Sequence, residues 1–427
     1  MEDIPEDEIN NPQVQPTANG NEVKNNIVLV PKEPQIKIKT EEDLEHINVK
    51  SERLEICDLK SAKIMEKLRT LQFIKLEILT LNGIGIKSIE FLNNDNFKSL
   101  AILELKNNEI ESLDKISEAP YQALKILDLS NNKIKSINDL SKAPFLNLIE
   151  ILVLSYNEIN DIQPLSAQPL PQLKKLDLSN NKIKSINDIS KAPFKLIEII
   201  ILSYNEISDV QPLSAQKLDK LKKLDLSKNK ITSIDSLGNN DAFPSLEFLY
   251  LNENQIEDIK FLEKDTFKKL KELQLNGNKI ENIDVFEKLK FEDLKELKLY
   301  GNKIKSIEAL CKADFKKLED LNLGKNNITD VSQLKDAKFK DLTTLNLFNN
   351  EITNINILSQ NPFEKIKKLD ISYNYLKDIS FLSDQNCGDL QELCFDGNNN
   401  LDYSKDEIEK IYKKYKIQYN FISKFSI

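Results

Sequence analysis

The sequence has few of the residues from which catalytic and metal sites are usually built. Histidine occurs once in 427 residues, as His46, and neither a second imidazole nor a cluster of carboxylates or thiols accompanies it. We therefore interpret His46 as a surface residue and not as a ligand or a general base. The chain also lacks a glycine-rich phosphate loop, so we predict no enzymatic activity, no cofactor and no metal.

Cysteines and long apolar runs are scarce as well. The four cysteines, Cys57, Cys311, Cys387 and Cys394, show no paired spacing, and the first residues form no apolar secretion signal. This usage is typical of a reducing intracellular compartment, so we expect a cytoplasmic protein, with the cilium and the nucleus as alternative locations. The longest apolar runs, such as residues 199–202, are far too short to cross a bilayer, and no membrane partner is expected.

No concentrated positive charge is present either. The net charge is -9, the pI is about 5.2, and the charged residues, 30% of the chain, have both signs interspersed. Binding to nucleic acid would need a basic face, so we exclude that class of partner and expect a soluble protein that is a monomer by itself.

What the sequence has in abundance is one repeated pattern, Leu-x-x-Leu-x-Leu-x-x-Asn-x-Ile. Successive copies are spaced by 24 residues, or by 25 before Asn157 and Asn254. The final asparagines of the pattern are Asn108, Asn132, Asn157, Asn181, Asn205, Asn229, Asn254, Asn278, Asn302, Asn326, Asn350, Asn374 and Asn398. In this pattern and period the chain resembles an intracellular leucine-rich repeat protein.

That resemblance implies an α/β solenoid, a leucine-rich repeat horseshoe with a concave parallel β-sheet and a convex side of 3₁₀ or short helical segments. Elementary energetics favour the same architecture. The apolar side chains of one turn contribute roughly 10 to 20 kcal/mol on burial, whereas ordering the turn costs about 1.5 kcal/mol per residue. One turn cannot fold alone, but stacked turns can, because each covers the faces of its neighbours.

Two columns of the repeat are explained by structure alone. The asparagine amide supplies donors and an acceptor to backbone groups where the chain leaves the strand. A second column, eleven or twelve residues earlier, is mostly aromatic and predicts a buried spine under the convex side. Its members are Phe97, Tyr121, Phe145, Leu170, Phe194, Leu218, Phe243, Phe267, Phe291, Phe315, Phe339, Phe363 and Cys387. Cys387 is therefore predicted to be a small buried hydrophobe.

Composition divides the chain into four parts. Residues 1–39 are predicted to be a disordered acidic arm, although the apolar patch at 27–30 could add a strand. Residues 40–75 form an N-terminal cap and a first irregular turn, and residues 76–400 hold about fourteen repeats. Residues 401–427 form a C-terminal cap, a helix plus a strand or tail, because Ser404 to Glu407 has capping-box spacing before an apolar stripe.

The convex segments change along the chain. Prolines at 144, 164, 193 and 212 predict 3₁₀ or extended segments in the early turns, and later segments such as 262–270 lack proline and can form helical turns. Residues 124–171 and 173–220 are near-duplicates, so their surfaces are expected to be duplicated too.

Function is predicted on the strand positions that the repeat leaves free, four and six residues before each asparagine. Isoleucines recur there on a face expected to be polar, and such an apolar stripe marks an interaction site. The alternative explanation is that strand propensity and codon bias favour isoleucine in any strand. The predicted protein-binding residues, with aromatic neighbours included, are Ile102, Ile126, Asp128, Ile151, Val153, Tyr156, Ile199, Ile201, Tyr204, Phe248, Tyr250, Tyr300 and Phe348. Acidic residues outnumber lysines on these strands, so the partner's surface is expected to be neutral to basic.

We therefore predict a non-catalytic scaffold that binds a partner protein on the concave face. Similarity to the leucine-rich repeat family that regulates protein phosphatase 1 implies a regulatory subunit bound to a phosphatase catalytic subunit. The alternative is a structural subunit of a large cytoskeletal or axonemal assembly. A GTPase-activating role is disfavoured because no arginine-bearing loop lies outside the repeats.

Overall fold

The computed structural model describes residues 35–414, apart from 193, 240, 265–266, 361–362, 384–389 and 402. Sixteen strands form one parallel sheet in which each strand pairs with the next along the chain. They are β1 Gln35–Ile38, β2 Arg53–Cys57, β3 Ile78–Asn82, β4 Ile102–Glu104, β5 Ile126–Asp128, β6 Ile151–Val153, β7 Lys175–Asp177, β8 Ile199–Ile201, β9 Lys223–Asp225, β10 Phe248–Tyr250, β11 Glu272–Gln274, β12 Glu296–Lys298, β13 Asp320–Asn322, β14 Thr344–Asn346, β15 Lys368–Asp370 and β16 Glu392–Cys394.

The repeat sets the register of this sheet. Leu127, at the centre of β5, pairs with Leu103 on one side and Leu152 on the other. In each short strand from β4 to β14, except β5, the central residue is buried and its two neighbours are partly exposed. The predicted solenoid with its concave parallel sheet is confirmed, and fourteen strands, β3 to β16, lie within residues 76–400.

The convex side is built from short helical turns. The α-helices are α1 Ala62–Thr70, α2 Glu308–Lys312 and α3 Lys405–Lys414. The 3₁₀ helices are Glu42–His46, Glu90–Leu92, Asp95–Phe97, Ile116–Glu118, Asn138–Lys142, Pro144–Leu148, Gln163–Ser166, Asn187–Lys191, Gln211–Ala215, Asp235–Gly238, Lys260–Glu263, Asp284–Lys288, Ser332–Asp336, Asn356–Gln360 and Ser380–Ser383. The later turns are thus mostly 3₁₀ even without proline, because the repeat leaves only about one turn of chain for them. No helix in this described part is both long and apolar enough to span a membrane.

The core runs without interruption between the sheet and these turns. The described members of the aromatic column are buried as predicted, and several neighbouring rings are in contact. Phe291 and Phe315 stack with ring centres 5.8 Å apart, and Phe339 and Phe363 stack at 5.5 Å. Such ring pairs add stability beyond the area they bury. Cys387 lies outside the described residues.

The asparagine column forms a hydrogen-bonded ladder through the interior. The Asn132 side-chain nitrogen donates to the carbonyl oxygens of Leu105 at 3.0 Å, Leu129 at 3.0 Å and Ser130 at 3.3 Å. Its oxygen accepts from the Ile110 backbone nitrogen at 3.1 Å. One of these carbonyls belongs to the preceding turn, so each asparagine joins two turns, which is the structural role predicted for it.

Both ends of the described solenoid depart from the repeat pattern. Strand β1 falls within the residues predicted to be a disordered arm, and it pairs with β2 because Ile38 is buried against the first turn. At the other end Ser404 and Glu407 form the predicted capping box, with the Ser404 nitrogen 2.8 Å from the Glu407 carboxylate and the Glu407 nitrogen 3.3 Å from the Ser404 hydroxyl. Residues 1–34, with the apolar patch, and 415–427, with the predicted final strand, lie outside the described residues.

Candidate functional site

The concave face displays two rows of side chains, one on each side of the buried central residues. Neighbouring strands lie about 4.8 Å apart, so consecutive members of a row are in van der Waals reach. The first row is Ile78, Ile102, Ile126, Ile151, Lys175, Ile199, Lys223, Phe248, Glu272, Glu296, Asp320, Thr344, Lys368 and Glu392. The second row is Thr80, Glu104, Asp128, Val153, Asp177, Ile201, Asp225, Tyr250, Gln274, Lys298, Asn322, Asn346, Asp370 and Cys394.

The structure places four isoleucines side by side in the first row. Ile78, Ile102, Ile126 and Ile151 lie on four adjacent strands in register. Ile78 is buried and the other three are half-buried, because each isoleucine is covered on its flanks by its row neighbours. The outer faces of these three side chains form one continuous apolar surface, which Val153 of the second row widens.

Beyond β6 the predicted stripe is interrupted. Strand β8 contributes the half-buried Ile199 and Ile201, but the neighbouring strands carry charged side chains, Lys175 with Asp177 on β7 and Lys223 with Asp225 on β9. The two predicted aromatic residues of β10, Phe248 and Tyr250, follow directly after β9. The apolar surface is therefore one block followed by separate apolar strands.

Asp128, one of the predicted binding residues, is largely enclosed by its neighbours. Its side chain is mostly enclosed, and the whole residue is only 8% exposed. One carboxylate oxygen accepts from the Ser130 nitrogen at 3.0 Å and from the Ser130 hydroxyl at 2.6 Å, and the other lies 3.3 Å from the Lys106 ammonium. These local partners fold the carboxylate against its own turn, so it stabilises the turn and offers little surface to a partner.

Tyr156 and Tyr204 follow the strands β6 and β8, one residue before the ladder asparagine. They are 58% and 48% exposed, and their φ angles are 55° and 56°. This left-handed backbone conformation is unfavourable for large side chains, and the alternate turns of the duplicated unit place Asn131 and Asn180 there instead. The Lys228 ammonium lies 4.5 Å from the Tyr204 ring centre, a cation–π contact that holds this ring in place.

Two further exposed tyrosines were not predicted. Tyr373 has the same left-handed conformation, with a φ of 53° and 58% exposure, and Tyr375 is 55% exposed. The sequence does contain the pattern that would have predicted Tyr373, since it directly precedes Asn374 as Tyr156 and Tyr204 precede their asparagines. The Tyr373 ring lies 5.4 Å from the ring of the predicted residue Phe348, edge to face.

The last predicted aromatic residue, Tyr300, belongs to the same edge of the sheet. A Cβ atom at Gly324 would come within 3.0 Å of the Tyr300 ring, so the absence of a side chain at Gly324 lets this ring lie over the next turn. Tyr300 and Phe348 are both half-buried and flank that glycine one turn away on either side. The structure thus brings Tyr300, Phe348 and Tyr373 to one end of the face, far along the chain from the isoleucines.

Carboxylates dominate the centre of the second half. Glu272, Glu296 and Asp320 lie in register on β11, β12 and β13. The Tyr250 hydroxyl donates to Glu272 at 2.6 Å, and the Lys298 ammonium forms an ion pair with Asp320 and lies 3.9 Å from Glu296. Burial, with the nearby charge of Glu272, raises the pKa of Glu296. With three carboxylates and one lysine, this part of the face has a net negative charge.

Other acids of the second row are perturbed in the same direction. Burial raises the pKa of Asp177, and the charge of Asp128 adds to this effect. Burial also raises the pKa of Asp370. A raised carboxyl pKa means that the surroundings of these two side chains favour the neutral form.

The charges just before the strands behave differently, because they neutralise one another. Glu150 lies 3.2 Å from Lys125 and 2.7 Å from Lys174, each on an adjacent turn. Similar pairs join further neighbouring turns, namely Glu198 with Lys222 at 2.8 Å, Glu247 with Lys271 at 2.7 Å and Glu319 with Lys295 at 2.7 Å. This edge holds the turns together and is not a free charged surface. Within the described residues no group of three or more His, Cys, Asp or Glu side chains is arranged to hold a metal ion.

Comparison with known proteins agrees with this geometry. The family profile described as Leucine Rich repeats (2 copies) matches residues 148–191, 244–288, 268–312, 292–336 and 316–360. The profile Leucine rich repeat matches residues 195–256, and the profile Leucine Rich Repeat matches residues 123–143. Together these matches cover more than half of the chain. No curated protein matches it in a sequence comparison.

Solved structures show the same fold. A leucine-rich repeat protein of Leptospira interrogans aligns with a TM-score of 0.72 and 22% identity, over 90% of this chain and 100% of that one. An internalin of Listeria monocytogenes aligns with a TM-score of 0.63 and 25% identity, over 78% of this chain and 88% of that one. The chain belongs to the leucine-rich repeat proteins.

Proposed function

We propose that this protein is a non-catalytic scaffold that binds a partner protein on its concave face. The observation that carries the proposal is the continuous apolar surface of Ile102, Ile126, Ile151 and Val153 on that face. Leaving such a surface in water is unfavourable, and contiguous apolar patches of soluble proteins are typical of interaction sites. The inner sheet of a repeat solenoid is also the surface that these proteins commonly use for binding.

The exposed tyrosines support the same surface. A left-handed conformation costs a large side chain about 1 to 2 kcal/mol. At the same position of another turn the duplicated unit has Asn180, which tolerates this conformation better. Tyr156 and Tyr204 nonetheless occupy it beside the apolar residues of β6 and β8. Tyrosine offers a large, rigid contact area with a polar tip, which is why it is enriched in protein interfaces.

The identity of the partner is a more specific hypothesis than the scaffold role itself. A phosphatase catalytic subunit, bound by this chain as its regulatory subunit, is the first candidate, and a component of a cytoskeletal or axonemal assembly is the alternative. Both rest on resemblance to other leucine-rich repeat proteins and not on a described contact.

Affinity capture from cells of the source organism tests the proposal. The test variant carries Ile126→Thr, Ile151→Thr, Ile199→Thr and Ile201→Thr, because Thr80 and Thr344 already occupy these rows and threonine therefore fits the strands. The matched control is Ile74→Thr, which removes an isoleucine that is 65% exposed and lies outside both rows.

We expect the fourfold variant to lose the captured partner by more than tenfold, while its circular dichroism spectrum and the binding of the control stay unchanged. Mass spectrometry of the captured material then separates a phosphatase from an axonemal component. Unchanged capture by a folded fourfold variant would show that the partner uses another surface.

A further inference from the structure

The apolar and charged side chains of the concave face alternate with a period of two strands from β6 to β10. The apolar pairs are Ile151 with Val153 on β6, Ile199 with Ile201 on β8, and Phe248 with Tyr250 on β10. The strands between them carry Lys175 with Asp177 and Lys223 with Asp225. Two strand spacings correspond to about 9.6 Å, so the face offers three apolar pairs at that interval.

From these observations we propose the chemistry of the partner: the concave face binds a basic amphipathic helix, with apolar pairs against β6, β8 and β10 and cationic side chains over β11 to β13. This inference rests on the proposed function and specifies the occupant of the concave face over β6 to β13, of which β6 belongs to the apolar surface described above.

The spacing fits a helix because apolar side chains come in pairs. A helix that buries residues three apart in every heptad presents one apolar pair per seven residues, or about every 10.5 Å. That interval is close to the spacing of the apolar strands, and docking an amphipathic helix in an apolar groove is a common mode of recognition. The duplicated turns make the subsites on β6 and β8 near-equivalent, since each has two aliphatic side chains and a following exposed tyrosine.

The charge of the partner follows from the strands beside β10. Glu272, Glu296 and Asp320 lie in register on adjacent strands, and within the two rows of these strands they face one cation, Lys298. Lys298 pairs with Asp320 and lies 3.9 Å from Glu296, so one positive charge is set against three carboxylates. The carboxylates of Glu150 and Glu198, by contrast, alternate with lysines that neutralise them. The negative strip on β11 to β13 is therefore not neutralised within the two rows of the described strands, and a cation there gains favourable Coulomb energy.

Fluorescence anisotropy with designed peptides tests the inference on the full chain. The probe is a labelled four-heptad peptide with two leucines, three residues apart, in each of the first three heptads and with lysines in the last heptad. A second peptide carries glutamate in place of each lysine. The protein variants are Glu272→Gln with Glu296→Gln and, as a control of equal charge change, Glu111→Gln with Glu257→Gln, both of which are exposed and outside the rows.

We expect the basic peptide to bind and the acidic one not to. The Glu272→Gln, Glu296→Gln pair should weaken binding by about fivefold to tenfold, the outcome of losing roughly 1 to 1.4 kcal/mol, and the control pair by less than about twofold. Ile151→Thr and Ile199→Thr should each weaken binding by a similar factor, because their subsites are duplicates.

Equal weakening by both glutamine pairs would show non-specific attraction to net charge and overturn the inference, as would equal binding of the acidic peptide. If the basic peptide fails to bind while capture of the cellular partner still depends on the isoleucines, this inference is wrong and the proposed function stands. If capture is also independent of the isoleucines, both are wrong.

Discussion

Removing one asparagine of the interior ladder should cost less than its hydrogen bonds suggest, and removing two neighbours should cost more than the sum. The Asn229 nitrogen donates to the carbonyls of Leu202 at 3.0 Å, Leu226 at 3.0 Å and Ser227 at 3.2 Å. Its oxygen accepts from the Ile207 nitrogen at 3.0 Å. At first sight Asn229→Ala therefore leaves four buried groups unsatisfied.

The neighbouring turns supply partners for three of them. The Leu202 carbonyl also accepts from Asn205 at 3.1 Å, and the Leu226 carbonyl also accepts from Asn254 at 3.0 Å. The Ser227 carbonyl accepts from the Tyr204 backbone nitrogen at 2.9 Å. Only the Ile207 N–H loses its ladder partner, so we expect Asn229→Ala to destabilise by about 2 to 3 kcal/mol, an unsatisfied buried donor together with weakened bonds.

Combining Asn229→Ala with Asn205→Ala removes both donors to the Leu202 carbonyl. The double variant should therefore lose about 1 to 3 kcal/mol more than the sum of the single variants. Asn229→Ala with Asn326→Ala, four turns apart, should be additive within about 0.5 kcal/mol. The measurement is urea unfolding followed by circular dichroism, supported by hydrogen exchange at Ile207, with the exposed Asn160→Ala as a control that changes stability by less than about 0.5 kcal/mol. Additive losses in the neighbouring pair would refute the shared-carbonyl reasoning.

Three further predictions concern the surface. Tyr156→Asn should raise the free energy of unfolding by up to about 1 kcal/mol, because asparagine tolerates the left-handed conformation. The same variant should weaken partner capture. A lower stability in urea unfolding would contradict this prediction. The pKa of Glu296 is raised in the folded state, so the folded chain holds this proton more tightly and stability declines as pH rises from the ordinary carboxyl pKa through the raised one. Glu296→Gln should remove this part of the decline, measured as urea midpoints at a series of pH values from the ordinary carboxyl pKa upward; an unchanged pH profile would contradict this. Hydrogen bonds from Tyr403 and Ser380 lower the pKa of Asp378. The contribution of Asp378 to stability is therefore present above the ordinary carboxyl pKa and is lost as pH falls through the lowered value. Asp378→Asn should speed amide hydrogen exchange in α3, whereas Asp330→Asn, in an earlier turn, should not.

The fold could be predicted from the sequence because each turn repeats the same physical requirement. Leu127 and Asn132 recur in register since a stacked turn must pair its strand and satisfy its backbone, and neither can vary freely. Strand β1 was not predicted, because Gln35–Ile38 does not follow the repeat pattern. This segment becomes a strand only when the edge of β2 is present to pair with it. Its environment, not its own pattern, decides its structure.

The candidate site was less predictable, since it depends on which side chains the neighbours cover. Asp128 and Asp225 occupy the same row position, yet Asp128 is enclosed by Lys106 and Ser130 while Asp225 remains half-buried. The pairing of Lys106 with a carboxylate one turn away depends on side-chain conformation, which the spacing does not specify. The left-handed backbone at Tyr156 and Tyr204 could have been predicted from the sequence, because asparagine and glycine occupy the same position in other turns.

The most direct test of binding on the concave face is hydroxyl-radical footprinting of the chain, free and in complex with the captured partner. Tyrosine side chains react readily when exposed, and the free chain presents Tyr156 at 58%, Tyr204 at 48% and Tyr375 at 55% exposure. The proposed function predicts that the partner protects Tyr156, Tyr204 and Phe248, while Tyr375, outside both rows and far along the chain, stays as reactive as in the free protein. Unchanged reactivity at Tyr156 and Tyr204, with protection elsewhere on the solenoid, would contradict it.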